Sequence, residues 1–555
     1  MSAPGRRAKV PNLGTRSIID GLDVESAATF EAVSPSTGLP IAVVQRAGKG
    51  EIDAAVASAR KAFLHWGSLP VRERQRFLQK VLAEVVRLHE PLARLIATEQ
   101  GKPIAEARAV DLIPVADTLR YLSRRTADLL APRPVEYEQI LFAHKSASYR
   151  FDPLGVIGVI TPWNFPFGIP FVEVAACLAA GNTVVLKPAS ATALTGIAIG
   201  EICRRAGLPP GVVNVVTAGG SDIPRLIEHP GVAKVLFTGS VGTGIDVARR
   251  AASHLKGLVL ELGGKDPAIV CADADLDRAA AGIVWGSFMN AGQTCGSIER
   301  VYVVREVAAP FLEKVLARTK AIRMGDPLHP ATDMGPMTTG EQRDEVERQV
   351  ADAVKHGAKV LCGGKRPRSK GNWYPPTILT NVNGRMRVMR EETFGPLMPI
   401  QVVDSLEQAI QEANDSDFGL TASGWTRSAG VAERLAAELQ AGTVTINDHL
   451  FSFGEPTATW GGIKKSGIGR SHAVYGLMEL VNIKHVSIDL GDAASMPWWY
   501  PYDGAFQAFT RRAFGTLYSN DPRTKVPEAL GLMGSGRFFG YVKMSDIAAN
   551  IGRLF

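Results

Sequence analysis

The stretch GVIGVITP, residues 155–162, joins a short apolar run to a turn, and three runs of the same kind follow it along the chain. These are NTVVLKPA (182–189), VVNVVT (212–217) and KVLFTGS (234–240), and each is followed by a segment that can form a helix. Strands that are apolar on both faces are typical of a parallel sheet covered by helices. The region therefore predicts an α/β fold built on a parallel sheet.

The regions on both sides of this one also carry regular apolar patterns. Upstream, residues 51–130 carry apolar side chains at steps of three and four, as in EIDAAVASARKAFLHW (51–66), which predicts helices. Downstream, alternating strands and helices begin again near residue 265. The strand candidates there are RVYVVRE (300–306), AKVLCGG (358–364), PPTILT (375–380) and TVTIND (443–448). This second series predicts a second α/β domain.

Two segments outside both series predict a small β arm. RPVEYEQILFAHKSASYRF (133–151) has the pattern of a hairpin, and LVNIKHVSID, within residues 471–490, has the pattern of an isolated strand. An unpaired strand edge favours association with another chain. We therefore expect an arm that pairs between subunits of a homodimer or homotetramer.

The bulk composition narrows the class of protein. With 555 residues, 46% of them hydrophobic and 21% charged, the chain is long enough for two or more domains with full cores. No apolar segment follows the basic start MSAPGRRAKV, and none is long enough to cross a bilayer, so we expect a soluble cytoplasmic protein. The net charge of +7 is spread along the chain, which argues against a nucleic-acid partner.

The five cysteines show neither CxxC nor Cys/His spacing, which argues against a zinc site or disulfides and leaves room for one reactive thiol. Cys295, in AGQTCGS (291–297), is the candidate. Its small neighbours leave the sulfur approachable, and backbone amides near a helix start are expected to lower the pKa of its thiol. The alternative is a buried structural cysteine, and this segment alone favours neither.

Two more segments can supply partners for a nucleophilic thiol. In LELGGKDP (260–267), Glu261 closes an apolar run, where burial would raise its carboxyl pKa and suit it to act as a general base. In TPWNFPFG (161–168), two prolines and Trp163 fix Asn164, whose side-chain amide can donate to a developing oxyanion. Taken singly, a salt-bridged glutamate and an ordinary turn asparagine are the more common interpretations.

Two segments indicate a dinucleotide site. FTGSVGTG (237–244) follows a strand, and the helix that it opens would present backbone amides to a pyrophosphate, although its spacing departs from GxGxxG. VVLKPAS (184–190) ends a strand at Lys187, whose cation can hold a phosphate or ribose hydroxyls. Gly-rich turns and surface lysines are common, so neither segment is decisive alone.

Seven motifs taken together are more specific. In chain order, PWNFP, VVLKPAS, FTGSVGTG, LELGGK, GQTC, EETFGP (391–396) and GGIKKSGIGR (461–470) resemble the aldehyde dehydrogenase superfamily over residues 25–490. The resemblance implies NAD or NADP as cofactor and no metal. It also implies a Rossmann-like cofactor domain (20–132 and 152–262), a second α/β catalytic domain (263–470), a small β oligomerisation arm (133–151 and 471–490) and a C-terminal extension (491–555).

By position, the resemblance gives each candidate a role. Cys295 matches the nucleophile, Glu261 the base that activates the hydrolytic water, and Asn164 the oxyanion-hole amide. Ser190 stands where many NAD-specific members carry a glutamate, which leaves NADP open beside NAD. The residues implied to bind the cofactor are Trp163, Lys187, Ser190, Gly239, Ser240, Gly244, Glu392 and Phe394.

The implied reaction oxidises an aldehyde to a carboxylate through a thiohemiacetal and a thioester on Cys295. We expect a broad range of aliphatic and aromatic aldehydes. Succinate-semialdehyde oxidation is the alternative within the class. It requires a cationic clamp, and the sequence assigns neither Arg300 nor another arginine to that place. A protein with the fold but without catalysis is the alternative outside the class, which the joint presence of Cys295, Glu261 and Asn164 disfavours.

The C-terminal extension contains the aromatic stretch PWWYPYDGAFQAFTRRAFGTLY (497–518). Phe506, Phe509 and Phe514 at near-helical spacing, beside Arg511 and Arg512, would suit peripheral contact with a membrane. Packing on the same or a neighbouring subunit is slightly favoured over this, because amphipathic helices more often bury their apolar face in protein.

Overall fold

The computed structural model describes residues 13–139, 142, 144–490, 496 and 498–535. The chain divides into two compact units, a larger one formed by Met1–Leu129 with Pro153–Val481 and a smaller one formed by Leu130–Asp152 with Asn482–Phe555. Within the described ranges, no helix combines the length and the hydropathy needed to cross a bilayer.

The secondary structure alternates between strands and helices along most of the chain. The strands are β1 (Ser17–Ile19), β2 (Leu22–Val24), β3 (Ala28–Val33), β4 (Pro40–Arg46), β5 (Arg133–Val135), β6 (Ser146–Pro153), β7 (Val156–Ile160), β8 (Thr183–Lys187), β9 (Val213–Val215), β10 (Val232–Thr238), β11 (Gly257–Glu261), β12 (Asp266–Val270), β13 (Ile298–Val304), β14 (Lys359–Cys362), β15 (Thr377–Thr380), β16 (Leu397–Val403), β17 (Thr421–Trp425), β18 (Thr443–Ile446), β19 (Gly467–Ile468) and β20 (Val481–Ile488). The helices are α1 (Lys49–Trp66), α2 (Val71–Glu99), α3 (Ile104–Glu106), α4 (Ile113–Leu129), α5 (Gly168–Ala180), α6 (Ala193–Arg205), α7 (Ile223–Glu228), α8 (Val241–Ala252), α9 (Leu276–Phe288), α10 (Arg305–Lys320), α11 (Gly340–Lys355), α12 (Arg387–Arg390), α13 (Leu406–Asn414), α14 (Ala429–Glu438), α15 (Phe451–Gly454), α16 (Ala473–Met478), α17 (Gly504–Tyr518) and α18 (Pro522–Met533).

The first sheet of the larger unit has eight strands in the order β19-β11-β10-β7-β8-β9-β1-β2. Its central strands are parallel, and every residue of β7 and β8 is buried, which explains their unbroken apolar runs. The chain passes from β7 outward through β8 and β9 and then returns to β10 on the other side of β7. Ligands of such sheets bind at the carboxyl ends of the strands where the order reverses.

The second sheet has seven strands in the order β14-β15-β16-β13-β12-β17-β18. All its pairs are parallel except β14 with β15. Its central strand β13 is buried along its whole length, and its core includes apolar residues of α9 and α10. The turn of residues 262–265 joins β11 of the first sheet to β12 of the second.

The smaller unit contains a three-stranded sheet and a pair of helices. β5 and β6 form an antiparallel hairpin, and β20 adds to β6 as the third strand. In the extension, α17 and α18 pack on each other and bury Phe509, Ala513, Ala529 and Leu532. Arg512 Nη1 donates to the Gly531 carbonyl at 2.5 Å across this contact.

The predicted fold class is confirmed, with parallel α/β sheets and a small β arm. The helices predicted over residues 51–130 occur as α1, α2 and α4, and the strand predicted as isolated pairs with the hairpin. The domain boundaries stay a prediction, because both large sheets belong to one compact unit. Parts of the predicted hairpin (140, 141 and 143) and extension (491–495, 497 and 536–555) lie outside the described residues.

Candidate active site

The predicted catalytic and cofactor residues of the first sheet lie at the carboxyl ends of neighbouring strands. β7 leads into Trp163 and Asn164, β8 ends at Lys187, β10 leads into Gly239, and β11 ends at Glu261. Because these strands are parallel, all these residues lie along one edge of the sheet. That edge includes the switch point between β7 and β10.

A cavity of about 440 Å³ opens at this edge. Three of the predicted cofactor residues do not line it: Lys187, Ser190 and Gly244. Lys187 is nevertheless on β8, the strand next to β7, and its carbonyl accepts a hydrogen bond from the Thr161 N–H at 3.2 Å. The predicted residues that line the cavity are Trp163, Asn164, Gly239, Ser240, Glu261, Cys295, Glu392 and Phe394.

The residues at this edge fit a dinucleotide with two phosphates. The twelve-residue helix α8 starts directly after Ser240, so its first backbone N–H groups are available for a pyrophosphate. A Cβ atom on Gly244 would lie 2.5 Å from Leu262 Cδ2. A glycine at position 244 therefore lets α8 pack closely against Leu262, in the turn that follows β11. Lys187 adds a nearly buried ammonium group, and burial lowers its pKa to about 8.

Glu392 and Phe394 also line this cavity and contact segments that follow the strand ends. The Gly264 N–H donates to Glu392 Oε1 at 3.2 Å, and burial raises the pKa of Glu392 to about 8. The rings of Trp163 and Phe394 meet edge to face, with centroids 5.4 Å apart. Phe394 has a φ of +49°, a conformation that a non-glycine residue keeps only where its surroundings enforce it.

Cys295 lies between a 3₁₀ turn (Met289–Gly292) and the start of β13. Asn290 and Ala291 have left-handed φ angles of 56° and 54°, which bend the backbone before the cysteine. Cys295 lines both the cofactor cavity and a second cavity described below. Cys295, which is half-buried, is therefore at the junction of the two cavities.

The expected lowering of the Cys295 pKa is wrong for this structure. Cys295 does not start a helix, and burial raises the pKa of its thiol well above the ordinary value. The carboxyl groups of Asp266, Glu261 and Glu392 raise it further, because negative charges oppose a thiolate. The Gly296 N–H acts in the opposite direction but is the smaller effect.

Asn164 is hydrogen-bonded to the loop that carries Cys295. Its side chain is 2% exposed, and Nδ2 donates to the Gln293 carbonyl at 3.0 Å. The Asn164 carbonyl in turn accepts from Asn290 Nδ2 at 2.8 Å. Because one N–H of Nδ2 is used by Gln293, the other remains as a donor for a developing oxyanion.

Glu261 lines the same cofactor cavity as Asn164 and Cys295. Its Oε1 accepts from Ser471 Oγ at 3.1 Å, while Oε2 is buried without a hydrogen-bond partner. Burial raises the pKa of Glu261 to about 8, as expected from its place at the end of an apolar strand. Sequence reasoning missed Ser471, although it directly follows the GGIKKSGIGR motif.

A buried ion pair that the sequence did not suggest holds the Asn164 turn. Lys102 Nζ lies 2.5 Å from Asp111 Oδ2, and both side chains are fully buried. Asp111 Oδ1 accepts from the N–H groups of Phe167 and Gly168, at the start of α5. Lys102 Nζ also lies 4.1 Å from the centre of the Phe165 ring. The pair therefore fixes the backbone on one side of the predicted oxyanion donor.

The second cavity has a volume of about 410 Å³ and ends at Cys295. Glu455, which is exposed like Phe451 and Trp285, is the sole charged residue among the described residues that line it. The inner wall is formed by Val110, Phe165, Met289, Leu450, Phe453 and Trp460. An aldehyde that enters here meets an apolar surface on its way to the sulfur.

Arg300 does not supply a clamp for an anionic substrate. It is 2% exposed, and its guanidinium donates to the backbone carbonyls of Lys265, Glu412 and Ala413 at 2.7 to 3.1 Å. It does not line the apolar cavity. Its guanidinium therefore joins the turn before β12 to the end of α13.

Comparisons with known proteins agree with this geometry. Residues 23–486 match the sequence profile described as the Aldehyde dehydrogenase family. An NADP-dependent enzyme from E. coli is similar in structure, with 36% identity and a TM-score of 0.83, over 86% of this chain and 99% of that one. The NAD⁺ complex of an aldehyde dehydrogenase from Bacillus cereus has 34% identity and a TM-score of 0.83, over 86% and 97% of the two chains.

Betaine aldehyde dehydrogenase from Staphylococcus aureus, in complex with NAD⁺, is also similar, with 32% identity and a TM-score of 0.84, over 89% of this chain and 98% of that one. The chain belongs to the aldehyde dehydrogenase family. It is an oxidoreductase that oxidises aldehydes with NAD or NADP.

Proposed function

We propose that this chain oxidises apolar aldehydes to carboxylates through a covalent thioester on Cys295. The observation that carries the proposal is the position of Cys295, which lines both the apolar cavity and the cofactor cavity. Asn164 and Glu261 line the same cofactor cavity as the sulfur. Nucleophile, oxyanion donor and base are thereby assembled in one cleft.

The proposed sequence begins when the Cys295 thiol loses its proton to water and the resulting thiolate adds to the aldehyde carbon, which gives a thiohemiacetal. The new alkoxide accepts hydrogen bonds from Asn164 Nδ2 and the Cys295 backbone N–H, which stabilise the charge as it develops. When bound, the nicotinamide supplies the acceptor for the hydride that leaves the same carbon. The remaining thioester is then hydrolysed by water, whose proton goes to the Glu261 carboxylate.

The cofactor would be held by groups from both sheets. We assign the pyrophosphate to the start of α8, the adenosine ribose to Lys187 and Ser190, and the nicotinamide ribose to Glu392 with Phe394. Ser190 is exposed at the start of a 3₁₀ turn and carries no negative charge that would repel a 2′-phosphate. Both NAD and NADP are therefore proposed as substrates.

The apolar cavity favours aliphatic and aromatic aldehydes over succinate semialdehyde. A carboxylate needs a cation or several donors when it is taken out of water. Neither lysine nor arginine occurs among the described residues that line the cavity, and Glu455 at its opening repels an anion. Succinate-semialdehyde oxidation is therefore the less favoured alternative.

A panel of aldehydes tests this proposal. Succinate semialdehyde, hexanal and benzaldehyde are each assayed with NAD⁺ and NADP⁺, by the absorbance of the reduced nucleotide. The proposal predicts turnover of hexanal and benzaldehyde and its loss in Cys295→Ala. Absence of turnover with every aldehyde would favour the non-catalytic alternative, whereas a preference for succinate semialdehyde would contradict the substrate assignment.

We also propose that the three-stranded sheet of the smaller unit pairs between subunits of a homodimer or homotetramer in the cytoplasm. β20 is an edge strand of that sheet and carries the exposed Ile483 and Ile488. Sedimentation equilibrium measures the oligomer directly. The double variant Ile483→Lys with Ile488→Lys should shift it toward the monomer.

The exposed side chains of the extension support a peripheral membrane contact as a second proposal for this chain. Phe509 packs between α17 and α18, but Phe514 is 69% exposed, so the phenylalanines do not form the single face that their spacing suggested. The other large apolar or aromatic side chains exposed there are Trp499, Tyr500, Tyr502, Tyr518, Val526 and Leu530. Part of the extension thus packs on itself, and the remainder could meet a bilayer interface or a neighbouring subunit.

Flotation with liposomes distinguishes a membrane from a neighbouring subunit as the partner of this exposed surface. The full chain and a variant with Trp499, Tyr500 and Phe514 changed to serine are compared on neutral and anionic vesicles. Binding by the full chain that the variant loses supports the membrane contact. A change of oligomer in the variant, without vesicle binding by either protein, would assign the surface to a subunit interface instead.

A further inference from the structure

A buried ion pair joins two segments of the active-site region. Lys265 and Glu299 are 0% and 2% exposed, and Lys265 Nζ lies 2.7 Å from Glu299 Oε2. Lys265 belongs to the turn that follows Glu261, whereas Glu299 lies on β13, shortly after Cys295. The pair therefore links the turn that carries the proposed base to the strand that follows the nucleophile.

The same carboxylate also holds the segment of residues 392–394. The Thr393 N–H donates to Glu299 Oε2 at 2.7 Å, and the Phe394 N–H donates to Oε1 at 2.8 Å. Lys265 Nζ donates to Thr393 Oγ1 at 2.9 Å. Each oxygen of Glu299 thus accepts one backbone N–H, which fixes two consecutive peptide groups and the left-handed turn at Phe394.

We infer that Glu299 is a positioning residue for the nicotinamide half of the cofactor cavity. It does not line the cavity and acts through Phe394 and the neighbouring Glu392, which do. The inference rests on the function proposed above for these two residues. Transfer between two bound groups depends steeply on their separation, so a small displacement of this segment should slow hydride transfer.

Glu299→Gln is the informative substitution because it keeps the size of the side chain. Its amide nitrogen cannot accept the second backbone N–H, and the loss of charge leaves the buried Lys265 without a counter-ion. We expect hydride transfer from hexanal to fall by about 30-fold or more. Nucleotide-free hydrolysis of p-nitrophenyl acetate needs the Cys295 nucleophile but no nicotinamide, and it should change by less than about threefold.

Nucleotide binding gives a readout that does not depend on turnover. Titration of tryptophan fluorescence should show that Glu299→Gln weakens the binding of NAD⁺ more than that of ADP-ribose, which lacks the nicotinamide. Thr393→Val removes the hydroxyl contacts with Lys265 and Gln349 but leaves the Glu299 carboxylate in place. It should show the same pattern with a smaller effect, and it keeps the inference testable if Glu299→Gln does not fold.

Asp273→Asn is the matched control. Asp273 Oδ2 accepts the Arg427 N–H at 3.0 Å, so the control also exchanges a carboxylate that holds a backbone group, in a place where it does not contact residues 392–394. The control should leave both reactions unchanged. The inference is overturned if Glu299→Gln lowers ester hydrolysis as much as hydride transfer, or if it affects neither. Failure of the proposed function itself would show differently, as absence of hydride transfer in the unmodified protein.

Discussion

The apolar cavity should discriminate strongly against an aldehyde that ends in a carboxylate. Pentanal and succinate semialdehyde have similar lengths, and they differ mainly in whether the far end is a hydrocarbon or an anion. Both must place their carbonyl carbon at Cys295, so the far end of each lies among residues such as Phe165, Met289 and Trp460. The comparison therefore isolates the cost of a charge in this cavity.

The expected size follows from the cavity wall. An ion without a partner in a protein interior costs several kcal/mol, and about 4 kcal/mol corresponds to a factor of about 1000 in kcat/KM. For the hydrocarbon end, each buried methylene contributes about 0.8 kcal/mol. Pentanal should therefore exceed propanal by about 15-fold, the effect of two methylenes. Glu455 at the opening is exposed, so its repulsion adds little to the discrimination.

Steady-state assays of propanal, pentanal and succinate semialdehyde with one nucleotide measure both factors. Glu455→Gln should raise kcat/KM for succinate semialdehyde by less than about tenfold, because exposed charges act weakly in water. A value for succinate semialdehyde within tenfold of pentanal would refute the reasoning. It would mean that the anion finds a cation within the cleft or remains in water.

Three further predictions concern single side chains. Burial raises the pKa of Glu261 to about 8, so the carboxylate that acts as base accumulates as the pH rises through that value. Stopped-flow measurements should therefore show thioester hydrolysis that accelerates through about pH 8 and levels off above it, and Glu261→Gln should be slow with little dependence on pH. Asp111→Asn leaves the buried Lys102 unpaired and should lower the free energy of unfolding by about 3 kcal/mol in urea titrations. The same titration should show a smaller loss when Asp111→Asn is combined with Lys102→Met, because the ammonium is then gone and the Asn carbonyl oxygen can still accept from the N–H groups of Phe167 and Gly168. Ser190→Glu should weaken NADP⁺ binding by about tenfold or more, because the new carboxylate repels the 2′-phosphate, while NAD⁺ binding stays within about threefold. Fluorescence titration measures both affinities, and equal effects on the two nucleotides would show that Ser190 is not at the adenosine ribose.

The sequence predicted the elements whose local pattern is dictated by burial. β7 and β8 are buried on both faces, and this is why apolar runs such as GVIGVITP identify a parallel sheet. The site residues on the first sheet could also be predicted from the sequence, because they follow apolar runs at the places where strands end and helices begin. Their gathering at one edge follows from parallel pairing.

The parts that were not predicted depend on contacts between distant segments. The thiol pKa of Cys295 is raised by burial and by carboxyl groups from two other segments, Glu261 and Asp266 in one and Glu392 in the other, so its own neighbours gave the wrong direction. The sequence left the role of Arg300 unassigned, because its partners are backbone carbonyls of distant segments in the interior. The ion pair of Lys265 with Glu299 leaves no local pattern, because the two residues belong to different elements.

The central claim is that the acyl group is carried by Cys295 and released with the help of Glu261. The most direct measurement is mass spectrometry of Glu261→Gln after it is mixed with hexanal and NAD⁺ or NADP⁺ and quenched in acid. The account predicts a hexanoyl adduct on the peptide that contains Cys295, because the first half of the reaction proceeds and hydrolysis is blocked. Reduced nucleotide formed without any adduct on that peptide, or an adduct on another cysteine, would contradict it.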